Sequence, residues 1–209
     1  MSYRAGRVAV LAGAMSLAVF TIANAAAEPS GKAVLHLDPA STTVAFRLPG
    51  SLHDTHGTFH LKEGTVEIDT ATTGAGGLVV VDASSGETGN SSRDARMRDV
   101  VLESERFPEI RFRPARVVGT LGADGSFRAT VEGTFTLHGT DHPMTSAIEG
   151  RLDGQRVTAT CRFSVPYVEW GLKDPSLLFL TVGKEVEIDV TATGDLTWKS
   201  ARLEPEAPL

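Results

Sequence analysis

The chain has 209 residues, a formal net charge of −6, 41% hydrophobic residues and a single cysteine. An acidic chain without a basic cluster is poorly suited to nucleic acid or an anionic membrane surface. One cysteine excludes an intramolecular disulfide, so stability has to come from a packed core.

The N-terminus reads as a targeting segment. Arg4 and Arg7 precede an almost wholly apolar run, residues 8–23, and small-x-small sequences at residues 23–25 and 25–27 offer cleavage sites. This is the pattern of a secretory signal peptide, residues 1–27, and it predicts a periplasmic or secreted protein. No cysteine lies near the cleavage region, so a lipid-anchored N-terminus is not expected. No later run approaches the ~20 apolar residues of a membrane span, so no transmembrane segment is expected in the mature chain. Losing Arg4 and Arg7 takes the net charge from −6 to −8. Residues 28–33 are a short lead-in. About 180 residues remain, enough for one domain with a sizeable core, placed at residues 34–197 and followed by a disordered tail at 198–209.

Strands are predicted over residues 34–37 and 43–48, punctuated by Asp38-Pro39-Ala40-Ser41. Two short strand signals within residues 58–69 flank Lys62-Glu63-Gly64, and residues 77–82 are rich in β-branched side chains. One helix is predicted over residues 91–102. Asn90 or Ser91 can cap it, Asp94 sits in its first turn, and Pro108 prevents its continuation past Phe107. Strands resume at residues 109–112 and 116–120.

The strongest signal follows. Phe127, Ala129, Val131, Gly133, Phe135 and Leu137 alternate with Arg128, Thr130, Glu132, Thr134 and Thr136. A strand sends successive side chains to opposite faces, so one face here is apolar and the other wet. Residues 143–152 form the next strand after a turn at Gly139-Thr140-Asp141. Asp153-Gly154 is a hairpin signal. Alternation returns over residues 157–167, with Val157, Ala159, Cys161, Phe163, Val165 and Tyr167 on the apolar side. The last strand is residues 184–196. The expected fold is all-β: a single antiparallel barrel of about eight strands with one short helix. Closure removes the exposed edges of an open sheet. A barrel of this size is either packed solid or holds one small ligand, and the inward residues suit both.

The polar residues form no convincing catalytic set. His56 and His60 share a strand face but lie about 13 Å apart along it, too far for one metal ion. There is no Gly-x-Ser-x-Gly elbow and no phosphate loop with a lysine. His138 is expected to hydrogen-bond within its turn. Tyr167 and Trp170 combine an apolar body with a polar tip and suit a barrel mouth as well as ordinary packing. Arg93 and Asp94 either position a ligand head group or pair to pin the helix.

The stretch Thr88-Gly89-Asn90-Ser91-Ser92-Arg93-Asp94-Ala95-Arg96-Met97, with Phe107-Pro108-Glu109-Ile110-Arg111-Phe112 after it, resembles a signature of the YceI-like family. So does Gly133-Thr134-Phe135-Thr136-Leu137-His138-Gly139-Thr140-Asp141-His142-Pro143-Met144-Thr145. The opening Leu37-Asp38-Pro39 and Ser41-Thr42-Thr43-Val44-Ala45-Phe46 fit as well. Members of that family are exported, lipocalin-like barrels that bind polyisoprenoid lipids. The resemblance implies a binding protein rather than an enzyme. It departs at residues 51–59, which are compressed, and at residues 165–176.

The expected function is thus a carrier holding a long apolar lipid, a polyisoprenoid or isoprenoid quinone, with no cofactor and no metal. The residues expected to line it are Phe46, Phe59, Val79, Val81, Phe112, Val131, Phe135, Ala159, Phe163, Tyr167 and Trp170. Arg93 and Asp94 are the head-group or helix-pinning candidates. A homodimer is compatible with the sequence. The competing readings are a ligand-free stress-response or interaction barrel and a histidine-metal enzyme.

Overall fold

A computed structural model of the protein describes residues 31–176 and 181–199. The expected signal peptide, residues 28–30 of the lead-in and the tail from Ser200 lie outside the described residues. Among the described residues there are ten strand segments: β1 Lys32–Leu37, β2 Thr43–Leu48, β3 Thr55–Phe59, β4 Leu61–Asp69, β5 Ala75–Asp82, β6 Glu109–Leu121, β7 Ser126–Leu137, β8 Thr140–Asp153, β9 Arg156–Val165 and β10 Val186–Lys199. They form one antiparallel sheet in the order β1-β4-β5-β6-β7-β8-β9-β10, and β1 pairs with β10 to close it.

The ten segments make eight staves. One edge of β10 pairs with β2 over Glu187–Thr191 and with β1 from Gly194 onward. So β1 and β2 are two lengths of one stave. At the break, the Thr42 hydroxyl donates to the Thr193 carbonyl and accepts from the Thr193 amide (3.3 and 3.2 Å). Both backbone groups of Thr193, which face the break from β10, are thereby satisfied, as buried backbone groups must be. β3 and β4 are likewise one stave, pairing with β2 and β1 and interrupted at His60. The outermost barrel rung sets Lys32 opposite Lys199, two residues beyond the expected 34–197 at either end.

Three local expectations need correction. Residues 109–112 and 116–120 belong to one strand, β6. Pro114 is tolerated because the register shifts between Pro114 and Arg116, leaving Ala115 as the extra residue of a bulge. Between β3 and β4 the chain breaks at His60, and Lys62 is a bulge inside β4. In the β8–β9 hairpin, Asp153 pairs with Arg156, so the two turn residues are Gly154 and Gln155.

α1 spans Ser91–Arg96 and continues as a single wide turn, Met97–Val101. The Asn90 side chain accepts from the Arg93 amide at 3.1 Å, as an N-cap should. Asp94 accepts from both the amide and the hydroxyl of Thr88, at 2.9 and 2.6 Å. The wide turn ends where the Leu102 amide donates to the Met97 carbonyl. This sends Met97, Val101 and Leu102 into the end of the barrel. There they meet a buried cluster of Leu137, Val165, Tyr167 and Leu172.

Candidate functional site

The register places the predicted lining residues on one face. Val79, Phe112, Phe135 and His142 form a row across β5, β6, β7 and β8. Phe163, Ile188, Phe46 and Gly57 form another across β9, β10, β2 and β3. Val81 stands opposite Ile110, Val131 opposite Val117, and Ala159 opposite Ala192. Directly opposed residues of an antiparallel pair share a face, so these side chains all point to the barrel interior. The inward positions of the ten strands carry no Lys, Arg, Asp or Glu.

The inward face is unevenly buried: Val44, Phe46, Val131 and Val157 are 6–8% exposed, and other inward residues are more open. Val79, Phe112 and Ala159 lie mid-strand on the inward face, and Val81, Phe135, Phe163 and Ile188 nearer the strand ends, yet all are only partly buried. In a filled barrel such residues would be closed off, because protein cores pack as densely as organic crystals. Two rings are laid against the wall. A Cβ built on Gly57 would come within 2.5 Å of the Phe46 ring, and one on Gly133 within 2.8 Å of Phe112. Each Phe therefore lies over a neighbouring strand's bare glycine instead of reaching across the lumen.

The remaining candidates cluster at the capped end. Phe59 packs on Phe46, with ring centroids 5.3 Å apart. Phe135 contacts Phe163 at 6.0 Å and Trp170 at 5.9 Å. Trp170 stacks on His142, 3.8 Å between centroids and 5° from parallel. Tyr167 is 5% exposed, and its hydroxyl donates to the Gly183 carbonyl at 2.8 Å. Burial pushes its phenol up to about 12. It acts as a strut of the cap, and its polar tip is already used.

Arg93 and Asp94 do not pair with each other. Asp94 is held by Thr88, which ties α1 to the loop before it. No hydrogen bond or ion pair engages the Arg93 side chain among the described residues. His138 also differs from expectation. It and Gly139 form the two-residue turn between β7 and β8, both with positive φ (51° and 75°). The His138 ring packs on Phe107 at 4.1 Å, and its Nε2 lies 3.7 Å from Glu103.

The candidate reactive groups are inert or dispersed. Burial raises the Cys161 thiol to about 11, so it is protonated and a poor nucleophile. His53, His56 and His60 are exposed. Among the described residues, no three metal-ligating side chains come together. A concavity of about 910 Å³ lies at the end opposite α1, lined by Arg128, Glu149, Arg151, Thr158 and Thr160. These belong to the outward set, and their charges and hydroxyls do not suit an apolar ligand.

The wall itself has a gap that no sequence signal marks. β8 and β9 are paired from Ile148 opposite Cys161 through Asp153 opposite Arg156, and no further. Toward the capped end the strands part around a cavity of about 370 Å³, lined by Met144, Ser146, Ala147, Arg162, Phe163 and Trp170, among others. Inward and outward residues of both strands line it. His142 immediately precedes Pro143, which lines this gap, and stacks on Trp170, which lines it too; a strand begun at Pro143 leaves it out of the lining set. The parity of Met144, Ser146 and Ile148, followed back by two positions, is the signal that finds it.

A family model described as YceI-like domain matches residues 35–194. No curated protein matches. Among solved structures, BcnA of Burkholderia cenocepacia is 17% identical, with a TM-score of 0.61 over 75% of this chain and 98% of its own. A polyisoprenoid binding domain from Saccharophagus degradans, implicated in plant cell wall breakdown, is 19% identical. Its TM-score is 0.62, over 78% of this chain and 98% of its own.

Proposed function

The chain belongs to the YceI-like family, and from that premise we propose that it is an exported binding protein holding a long apolar lipid, a polyisoprenoid or isoprenoid quinone, inside the barrel. The observation that carries this reading is the lumen: mid-strand apolar residues on the inward face remain only partly buried. The polyisoprenoid binding domain of the same fold supports the ligand class. The mechanism is physical. The lumen removes apolar surface from water, at about 25 cal/mol per Å² buried. At ~0.3 kcal/mol per heavy atom, a chain of about twenty carbons contributes roughly 6 kcal/mol and one of about forty roughly 12. The longer chain would bind near the nanomolar range.

No step of this function requires proton transfer or covalent chemistry. The basic start and apolar run of residues 4–23 support export. The test is mass spectrometry of an organic extract of the protein purified from the compartment it is exported to. A stoichiometric prenyl lipid is expected. A clean extract, together with no uptake of added prenyl lipid, would leave the ligand-free barrel as the better reading.

A further inference from the structure

We propose that His142 receives the polar end of the bound lipid, and that this end is a single neutral hydrogen-bonding group, a hydroxyl or ring carbonyl. This rests on the lipid-binding reading above and deepens it. The β7–β8 register sets His142 opposite Phe135, which places an imidazole on an inward face that is otherwise almost wholly apolar. Stacking on Trp170 at 3.8 Å and 5° fixes the ring plane. Trp170 is in turn packed on Phe135.

The imidazole Nε2 is buried and has no hydrogen-bond partner. Leaving a buried polar atom unpaired costs about 1–3 kcal/mol, so such atoms in native proteins call for a reason. The parted β8–β9 wall supplies one. If the ladder continued, Ser146 would face Phe163 and Thr145 would face Ser164. Instead about 370 Å³ opens between these strands, bounded by Pro143, Met144 and Trp170 beside His142. That space, lined by Pro143 next to His142 and by the Trp170 on which its ring stacks, admits a small head group while the tail lies along the lumen.

The charge of the surroundings selects the head group. No inward strand position is cationic. Arg162 lines the gap from the outward set and is engaged by Asp189. A phosphate or diphosphate would be buried there without a counter-charge, which is costly. A hydroxyl or carbonyl needs only one hydrogen bond. Arg96 of α1 also has a buried, unpartnered Nε, so an anionic end group held by Arg96 is the opposed outcome of the test.

The experiment compares geranylgeraniol, geranylgeranyl diphosphate and the C20 hydrocarbon phytane by equilibrium binding. The proteins are the wild type, His142→Phe, which keeps a ring to stack on Trp170, and His142→Gln, which keeps a hydrogen-bonding end. In the wild type the alcohol should bind roughly two- to tenfold tighter than the hydrocarbon, the value of one hydrogen bond. His142→Phe should abolish that preference and leave phytane affinity within about twofold, while His142→Gln retains part of it. An alcohol preference unchanged in His142→Phe overturns the proposal. So does tightest binding of the diphosphate, which would move the head group to Arg96. Equal wild-type binding of alcohol and hydrocarbon refutes this inference alone. Binding of none of the three refutes the lipid-binding reading, and this one with it.

Discussion

At the end capped by α1, Leu102, Leu137, Val165, Tyr167 and Leu172 are each 9% exposed or less and pack against one another. Further along the same inward face, Val79, Phe112 and Ala159 are only partly buried. The side chains are of one kind in both regions. The difference is what they face: at the cap a helix and the 166–172 turn close over the cluster, and Val79, Phe112 and Ala159 lie outside it. In the proposed binding role, the same apolar residue type contributes to stability at one level and to binding at the next.

The biggest loss should come from breaking the plugged end. Leu137→Ala should destabilise the fold by about 2–5 kcal/mol, the range for a buried leucine replaced by a cavity. Prenyl-lipid affinity per folded molecule should hold. Denaturant melts and a binding titration on the folded fraction separate the two. If affinity falls as far as stability, the cap and the lumen are one unit and the contrast is false.

Ala159→Trp probes the other region. The added indole should fill lumen space, displacing ~10 ligand atoms at ~0.3 kcal/mol each, so affinity drops by about 3 kcal/mol. Because Ala159 is only partly buried, the stability cost should sit at or below the low end of the ~1–3 kcal/mol usual for overpacking. Val131→Trp, at a position only 7% exposed, should cost more stability for a similar loss of binding. Equal melting curves for the two Trp variants would argue that the lumen is no emptier at Ala159 than at Val131.

Much of this contrast is legible in the order of the residues alone. The alternation over Phe127 to Leu137 and Val157 to Val165 specifies the barrel and the inward set, and Asn90 reads as a cap. The features that escape such a reading are those that depend on partners. Alternation looks the same in a paired and an unpaired strand, so the gap between β8 and β9 has no signature. Pro114 resembles a strand end because a bulge is defined by the opposite strand. Tyr167 resembles a mouth residue, yet Gly183, sixteen positions away, takes its hydroxyl. Arg93 and Asp94 are adjacent in the chain, but Asp94 turns back to Thr88 and leaves Arg93 out.

That pair offers a finer probe of the cap. Asp94→Ala removes the acceptor of two hydrogen bonds and should cost about 1–3 kcal/mol. Arg93→Ala, with no partner to lose, should stay within about 0.5 kcal/mol, like Arg98→Ala at its exposed pair with Asp99. Thermal melts of the three variants decide it. A loss for Arg93→Ala as large as for Asp94→Ala would restore the pinning role to the arginine.

The weakest effect concerns acid. Lys173, 3.2 Å from Glu103, is the main cause holding the Glu103 carboxyl below its ordinary value of 4.5. A carboxylate lowered in the folded state stabilises it above the unfolded value and loses that contribution as pH falls through the folded one. Lys173→Ala should therefore melt slightly below wild type at pH 7, and the gap should close below about pH 4. A gap that persists at pH 3 would mean that Lys173 acts through packing instead of charge.

If the middle of the barrel takes an apolar chain, affinity must depend on the length of that chain. The decisive comparison is the affinity of wild type and Ala159→Trp for prenyl alcohols of twenty and forty carbons. A steep gain with length is expected in the wild type, several kcal/mol for the added twenty carbons at ~0.3 kcal/mol per atom, and a much flatter dependence in Ala159→Trp. Affinity independent of length in the wild type, or the same length dependence in both proteins, would contradict an open lumen.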